Sequence, residues 1–325
     1  MSGPTTPAAP ATRVRAAGPD DAGTVLSIVR TAFATRPVLD PPADALAETE
    51  DTIRTALVHG GLVASYDERD VGALLLDPRD ATLWLRRVGV LPEVRDHGVA
   101  SALVEAALDL AEEYDDLAVL ARRELPATER FWREHGFVPV GGTPPYLELR
   151  RPAPRSHAAP DAESMRALGA ELASSLRAGD VVVLSGGLGA GKTTLTQGLG
   201  AGLGVRGEVT SPTFVISRVH PSLGAGPALV HVDAFRLGGV AELDDLDLDT
   251  SLDEAVTVVE WGEGIAEGLA DDRVEVRIAR AVADEASQGD GPDPRRVRVA
   301  PVGVRWLRAP LPGHGGAAAG PATLG

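Results

Sequence analysis

The pattern of apolar and polar positions divides the chain into two stretches of α/β character. In the first, residues 13–150, short apolar runs alternate with helical spacing. Arg86 to Pro92 reads as a strand with its exit turn, and the helix that follows places Leu103, Ala106, Ala107 and Leu110 on one face. The second stretch runs from about Asp161 to Arg308. Met165, Leu168, Leu172 and Leu176 predict a helix over 161–177, with Asp161 to cap it and Gly179 to end it. Val181 to Leu184 is a short apolar run suited to a buried parallel strand. Ala228 to Asp233 and Val256 to Glu260 have the same character, and each ends in an acid.

The remaining segments lack apolar periodicity. Residues 151–160, rich in Pro and Ala, are expected to be a linker. Residues 1–12 and 309–325 are expected to be flexible tails, the loop around Asp284 to Pro294 mobile, and the Asp- and Leu-rich stretch Glu242 to Glu254 a solvated helix or loop face. A chain of 325 residues suits two domains of about 150 residues each.

Composition narrows the function. No apolar run approaches the roughly 20 residues that span a bilayer, so no membrane role and a cytoplasmic location are expected. The absence of cysteine excludes disulfides and Cys-ligated metal sites. The formal net charge of −16 is shared by both halves, which argues against a protein that grips nucleic acid alone, because phosphate neutralisation supplies most of that affinity. Any role with RNA is expected to be indirect. Of 31 basic residues, Lys192 is the one lysine. A compact ammonium on a flexible stem reaches between two phosphates where a planar guanidinium does not.

Lys192 stands in Ser185-Gly186-Gly187-Leu188-Gly189-Ala190-Gly191-Lys192-Thr193-Thr194, which fits G-x-x-x-x-G-K-[ST] between a predicted strand and a predicted helix. Glycines let successive backbone N–H groups surround phosphates, and the helix dipole adds to the cradle. Residues Gly186 to Thr194 are therefore candidates to bind ATP, with Lys192 on the terminal phosphates and Thr193 on Mg²⁺. Asp233 and Glu260, at strand ends, are candidate acids near the metal, since ligands in open α/β sheets sit at the carboxyl ends of strands.

These residues resemble the TsaE (YjeE) family. The string Leu188 to Leu199, then Thr210-Ser211-Pro212-Thr213-Phe214, His231 to Leu237 and Val259-Glu260-Trp261-Gly262-Glu263 follow the family's order. The resemblance implies a P-loop NTPase fold with a largely parallel sheet, and an ATPase that supports tRNA N6-threonylcarbamoyladenosine (t6A) modification through a TsaB–TsaD complex. It implies that Thr210 to Phe214 is a loop responsive to nucleotide, and that Asp233 serves hydrolysis. It makes Glu260 a magnesium contact beside Thr193 and places Trp261 near the nucleotide; His231 reads as a core residue or one that supports a ligand. Gly187, Phe235 and Gly262 depart from the family's frequent Asp, Tyr and Pro, which bears on loop geometry and not on the phosphate or metal contacts.

The N-terminal stretch resembles the GNAT acetyltransferase superfamily. Arg95-Asp96-His97-Gly98-Val99-Ala100-Ser101 is similar to its motif [RQ]-x-x-G-x-[GA], Arg130 to Phe137 to its closing segment and Pro19 to Phe33 to its first helix. The resemblance implies a mixed α/β fold in which Arg95, His97, Gly98, Val99, Ala100 and Ser101 receive acetyl-CoA. No Tyr stands at the Phe131-Trp132 position where many members carry a general acid; Tyr146, Glu93 and His97 are the alternatives. Two other readings stay open: a P-loop kinase of a small metabolite, which the acidic region after Phe235 disfavours, and a nucleotide-regulated adaptor with a degenerate GNAT scaffold.

Overall fold

The computed structural model describes residues 12–244, 253–280, 294–309 and 311. The chain forms two compact units, Met1–Arg151 and Pro152–Gly325. Most of the expected tails, most of the loop at 284–294 and most of the stretch 242–254 lie outside the described residues; at the tail boundaries Thr12 belongs to β1 and Leu311 is buried in the core of the second unit rather than free.

The first unit runs β1 (Thr12–Ala17), α1 (Ala22–Ala34), α2 (Glu50–Ala56), β2 (Gly61–Tyr66), β3 (Arg69–Arg79), β4 (Thr82–Val90), α3 (Val99–Asp109), β5 (Asp116–Arg122), α4 (Pro126–Glu134), β6 (Val138–Gly141) and β7 (Tyr146–Pro152). Its sheet has the order β1-β2-β3-β4-β5-β7-β6. One core gathers Val25, Ile28 and Val29 of α1 with Ile53, Val63 and Leu75. The buried face of α3 is Val99, Leu103, Val104, Ala107 and Leu108; Leu110 falls past the helix end and is exposed, so the expected apolar face is rotated by about one residue.

Two features of this sheet open a cavity. β4 pairs with β5 in parallel only from Thr82 to Trp84, opposite Asp116 to Ala118, and beyond that register the strands part. The β3–β4 register also shifts between Ala73 and Leu75, opposite Arg87, whose φ is +55°. Such a bulge takes a residue out of the ladder and bends the strand.

The second unit runs β8 (Arg155–Ala159), α5 (Ala162–Ala173), β9 (Val181–Gly186), α6 (Lys192–Leu203), β10 (Ser217–His220), β11 (Ala228–Asp233), α7 (Val240–Asp244), β12 (Ala255–Glu260), β13 (Arg273–Arg280), β14 (Arg295–Val302) and α8 (Val304–Arg308). The sheet order is β10-β11-β12-β9-β13-β14-β8. β11, β12, β9 and β13 form a parallel core, and β10, β14 and β8 pair antiparallel at the flanks, so the sheet is mixed around a parallel centre. Both faces of the centre are covered. Val182 and Leu184 join one core with Met165, Leu195 and Trp306, while Val181 and Val183 join another with Val230, Val232 and Val259. Burial on both faces is why these strands read as unbroken apolar runs.

Two expectations are corrected. Residues 151–160 are not a free linker: Arg155–Ala159 is an edge strand in antiparallel register with Arg295 to Val299. The flanking prolines suggested an extended connection, and extended backbone is what a strand needs. α5 begins at the expected cap, where Asp161 Oδ1 accepts the Ser164 N–H at 2.8 Å. It ends at Ala173 rather than near Gly179, which instead turns the chain into β9 with φ +91°.

Candidate functional site

β9 delivers its last residues into the glycine loop, and α6 begins at Lys192. Gly186 has φ +144°, and a Cβ there would lie 2.4 Å from the carbonyl oxygen of Ile278 on β13. Only glycine fits that crossing. The loop carbonyls are held from the far side by Arg295, whose Nε donates to Ala190 O at 3.2 Å. Arg295 is 105 residues away in the chain, and no local signal in the sequence points to it.

Lys192 is 5% exposed. Its Nζ donates to Gly186 O at 2.8 Å and Gly187 O at 3.1 Å, and sits 3.5 Å from the ring centroid of Trp261. Burial holds the ammonium below the usual lysine range, against the opposing pull of Glu260 and Asp233. Trp261 follows β12 with φ +60°, a conformation that residues other than Gly, Asn and Asp seldom adopt. It turns the indole back over the loop, with Phe235 at 5.1 Å between ring centroids. Gly186, Gly187, Leu188, Trp261, Arg277 and Arg280 line a cavity of about 840 Å³ beside the loop.

The two strand-end acids stand side by side, because Asp233 and Glu260 are register partners in the parallel β11–β12 pair. Glu260 accepts the Thr193 hydroxyl at Oε2 over 3.2 Å and the His231 ring at Oε1 over 2.8 Å. Asp233 accepts the Thr213 hydroxyl at Oδ2 and the Phe235 N–H at Oδ1 over 3.0 Å. Thr213 in turn meets Ser211 Oγ at 2.7 Å, so the loop 210–214 is tied to the acid through side chains. Lys192, Thr193, Asp233, Glu260 and Trp261, spread over 70 positions of sequence, thus converge on the mouth of the glycine loop. His231 is fully buried beneath them.

Among the described residues no group of three or more His, Asp or Glu side chains is arranged to hold a metal ion. A magnesium ion beside a phosphate chain needs only one or two protein oxygens, with phosphate and water completing its shell. Thr193 and Glu260 are a hard-oxygen pair of that kind, and the glycine cradle, where a Cβ would collide, fits a phosphate chain.

In the first unit, the parted strands β4 and β5 border a cavity of about 890 Å³. Arg95, Gly98, Val99, Ala100 and Ser101 line it. Gly98, with φ +75°, leads into α3, whose first amides have no partner within the helix and no side-chain cap. His97, expected with them, is not among the lining residues: its ring packs edge-on against Tyr66 at 5.0 Å and its Nδ1 meets Arg95 O at 2.8 Å. Positive φ at Asp96 and Gly98 on either side redirects it. Of the alternatives for a general acid, Tyr146 lines the cavity, with the Arg122 guanidinium 5.3 Å from its ring centroid, whereas Glu93 does not.

The family described as threonylcarbamoyl adenosine biosynthesis protein TsaE matches residues 159–288, and the acetyltransferase (GNAT) domain family matches residues 59–139. The tRNA threonylcarbamoyladenosine biosynthesis protein TsaE of Streptomyces coelicolor is 64% identical over 146 residues, which are 45% of this chain and 95% of that protein. The chain belongs to the TsaE family. The TsaE of Bacillus subtilis is 37% identical over 145 residues, covering 44% of this chain and 84% of its own. The solved PaiA N-acetyltransferase of Thermoplasma acidophilum in complex with coenzyme A aligns with 44% of this chain and 99% of that one, at 13% identity and a TM-score of 0.40. The TsaE match contains the whole glycine loop, Asp233 and Glu260; the GNAT match contains β4, α3 and β5 and leaves Arg36 and Tyr146 outside it. Among the described residues no helix is long and apolar enough to cross a membrane.

Proposed function

We propose that the C-terminal domain binds Mg-ATP and hydrolyses it in support of tRNA t6A modification, acting in the cytoplasm with a TsaB–TsaD-type pair of partner proteins. The convergence of Lys192, Thr193, Asp233 and Glu260 at the glycine loop carries this reading. The names of the related proteins supply the pathway. Amides of Gly187 to Thr194 would cradle the phosphates, Lys192 would leave the loop carbonyls for the terminal phosphate oxygens, and Thr193 and Glu260 would hold the metal. Bound magnesium neutralises charge that develops on the phosphate oxygens. Asp233 would take part in hydrolysis, and its tie to Thr213 would report the state of the nucleotide to the loop 210–214. Both halves being acidic, tRNA would be reached through the partners rather than gripped directly.

The N-terminal domain, in the same reading, is an N-acetyltransferase. Acetyl-CoA supplies an activated acetyl thioester. The amides at the start of α3 would face its diphosphate, and Tyr146 would hold a proton for the leaving thiol. The test of the C-terminal reading is co-purification of the full chain with candidate TsaB and TsaD proteins with and without ATP, together with ATP turnover; coenzyme A binding tests the N-terminal one. Capture that depends on ATP and turnover stimulated by the partners is expected; capture indifferent to nucleotide, with no stimulation, overturns it.

A further inference from the structure

The cavity of the N-terminal domain has a charge that its surroundings lack. Residues 1–150 carry 15 Arg against 24 acids, yet the cavity wall carries six arginines against Asp44, Asp96 and Glu124. Four of the six are explained by neighbours. Arg79 and Arg86 pair with Asp77, Arg87 with Glu48 and Arg122 with Glu124. Arg36 and Arg95 are the other two, and among the described residues neither makes an ion pair.

These two guanidinium groups share the end of α1. Arg95 Nη2 donates to the Thr35 hydroxyl at 2.8 Å and to Ala32 O at 3.4 Å. Arg36 lies with its Cζ 3.7 Å from the ring centroid of Phe33 and donates to Val88 O at 3.4 Å, beside the bulge of β4. Burial, with the adjacent charge of Arg95, pushes the Arg36 guanidinium down to about 10. Two like charges brought together beside a cavity, with only neutral acceptors and the face of Phe33 as partners, favour an anion that joins them. The planar forks of arginine suit phosphate and carboxylate oxygens.

We propose that Arg36 and Arg95 form a two-guanidinium anion site at the wall of this cavity, which takes a phosphate or carboxylate group of a ligand bound there. The inference rests on the acetyl-CoA reading for its principal ligand. The anion is either a phosphate of coenzyme A, whose diphosphate the same reading places at the start of α3, or an acidic group on the acetyl acceptor. Arg36 lies in α1's exit, outside both the 95–101 motif and the matched GNAT segment, and nothing in the family pattern singles it out.

The test is calorimetry on the full chain carrying Lys192→Ala, so that the glycine loop does not answer to the same anions. Arg36→Met keeps an unbranched side chain beside Phe33 and removes the guanidinium fork that lies over its ring; Arg36→Lys keeps the charge without the fork. With coenzyme A, Arg36→Met should lose about ten- to a hundredfold in affinity, the scale of one or two charge-assisted hydrogen bonds, and Arg36→Lys should recover part of it. Pantetheine, which has no phosphate, should bind all three equally. If 3′-dephospho-CoA affinity falls in parallel, the diphosphate is the anion held; if it is untouched, the 3′-phosphate is. Should coenzyme A bind Arg36→Met as tightly as the parent, inorganic sulfate is titrated into the coenzyme-saturated protein, and a response abolished by Arg36→Met identifies the acceptor's anion. No loss in either series overturns the proposal. If the parent protein fails to bind coenzyme A at all, the acetyl-CoA reading falls. The anion site is then judged on inorganic pyrophosphate alone: binding lost in Arg36→Met and Arg95→Met upholds it, and binding that is absent or indifferent to both changes overturns it.

Discussion

Glu260 and His231 form a buried pair, the imidazole Nε2 donating to Oε1 over 2.8 Å with the histidine at 0% and the glutamate at 3% exposure. The other oxygen of the same carboxylate faces Thr193. His231 therefore fixes which way Glu260 points, as outer partners of metal-binding carboxylates do.

The first prediction follows from that bond. His231→Leu should destabilise the protein by about 1–3 kcal/mol, the usual cost of stranding a buried acceptor. It should also raise the magnesium concentration needed for half-maximal ATP turnover, while His231→Gln, which keeps a donor, recovers part of both. Chemical denaturation and a magnesium titration of turnover check it; a Leu variant with wild-type magnesium dependence removes the orienting role.

Lys192→Ala should abolish ATP binding in calorimetry, whereas Asp233→Asn and Glu260→Gln should keep most of the binding and lower hydrolysis by about a hundredfold, the typical scale for a preorganised charge at a reacting phosphate. Unchanged affinity in the first would contradict the glycine-loop assignment. Unchanged turnover in both of the others would remove their roles at the metal.

Gly186→Ala should both unfold more easily and bind ATP poorly. A Cβ would meet Ile278 O at 2.4 Å, and φ +144° strains any L side chain. The steric term alone is about 1–2 kcal/mol for a left-handed residue. A variant that melts like the parent and binds ATP normally would mean the β9–β13 crossing relaxes freely.

The Lys192 ammonium gives a pH signature. Its folded value is depressed below 10.5, so between the two values the unfolded chain binds the proton and the folded chain does not. Stability contributed at this position therefore rises with pH through the window just below 10.5. ATP binding needs the charged form and should weaken over the same range. Comparing the parent with Lys192→Met in alkaline denaturation series isolates the group; identical slopes would show no depression.

How far the sequence anticipates this site depends on where each partner lies. The glycine loop is legible because strand, loop and helix are contiguous and the spacing of Gly186, Gly191, Lys192 and Thr193 is itself the chemistry. Asp233 and Glu260 are legible as strand ends, since parallel register makes the ends of neighbouring runs coincide. Arg295 and the Thr213–Asp233 bond are not, because they depend on packing between segments that carry no shared pattern. The strand Arg155–Ala159 escaped for the opposite reason: five residues with Ser, His and Ala and a proline on each side look like spacer, and only the β14 ladder makes them a strand.

That edge strand decides where the polypeptide can be divided. A fragment starting at Asp161 would keep every phosphate and metal residue yet leave β14 with a bare row of amides and carbonyls, an invitation to self-association. One starting at Pro152 carries its own selvage.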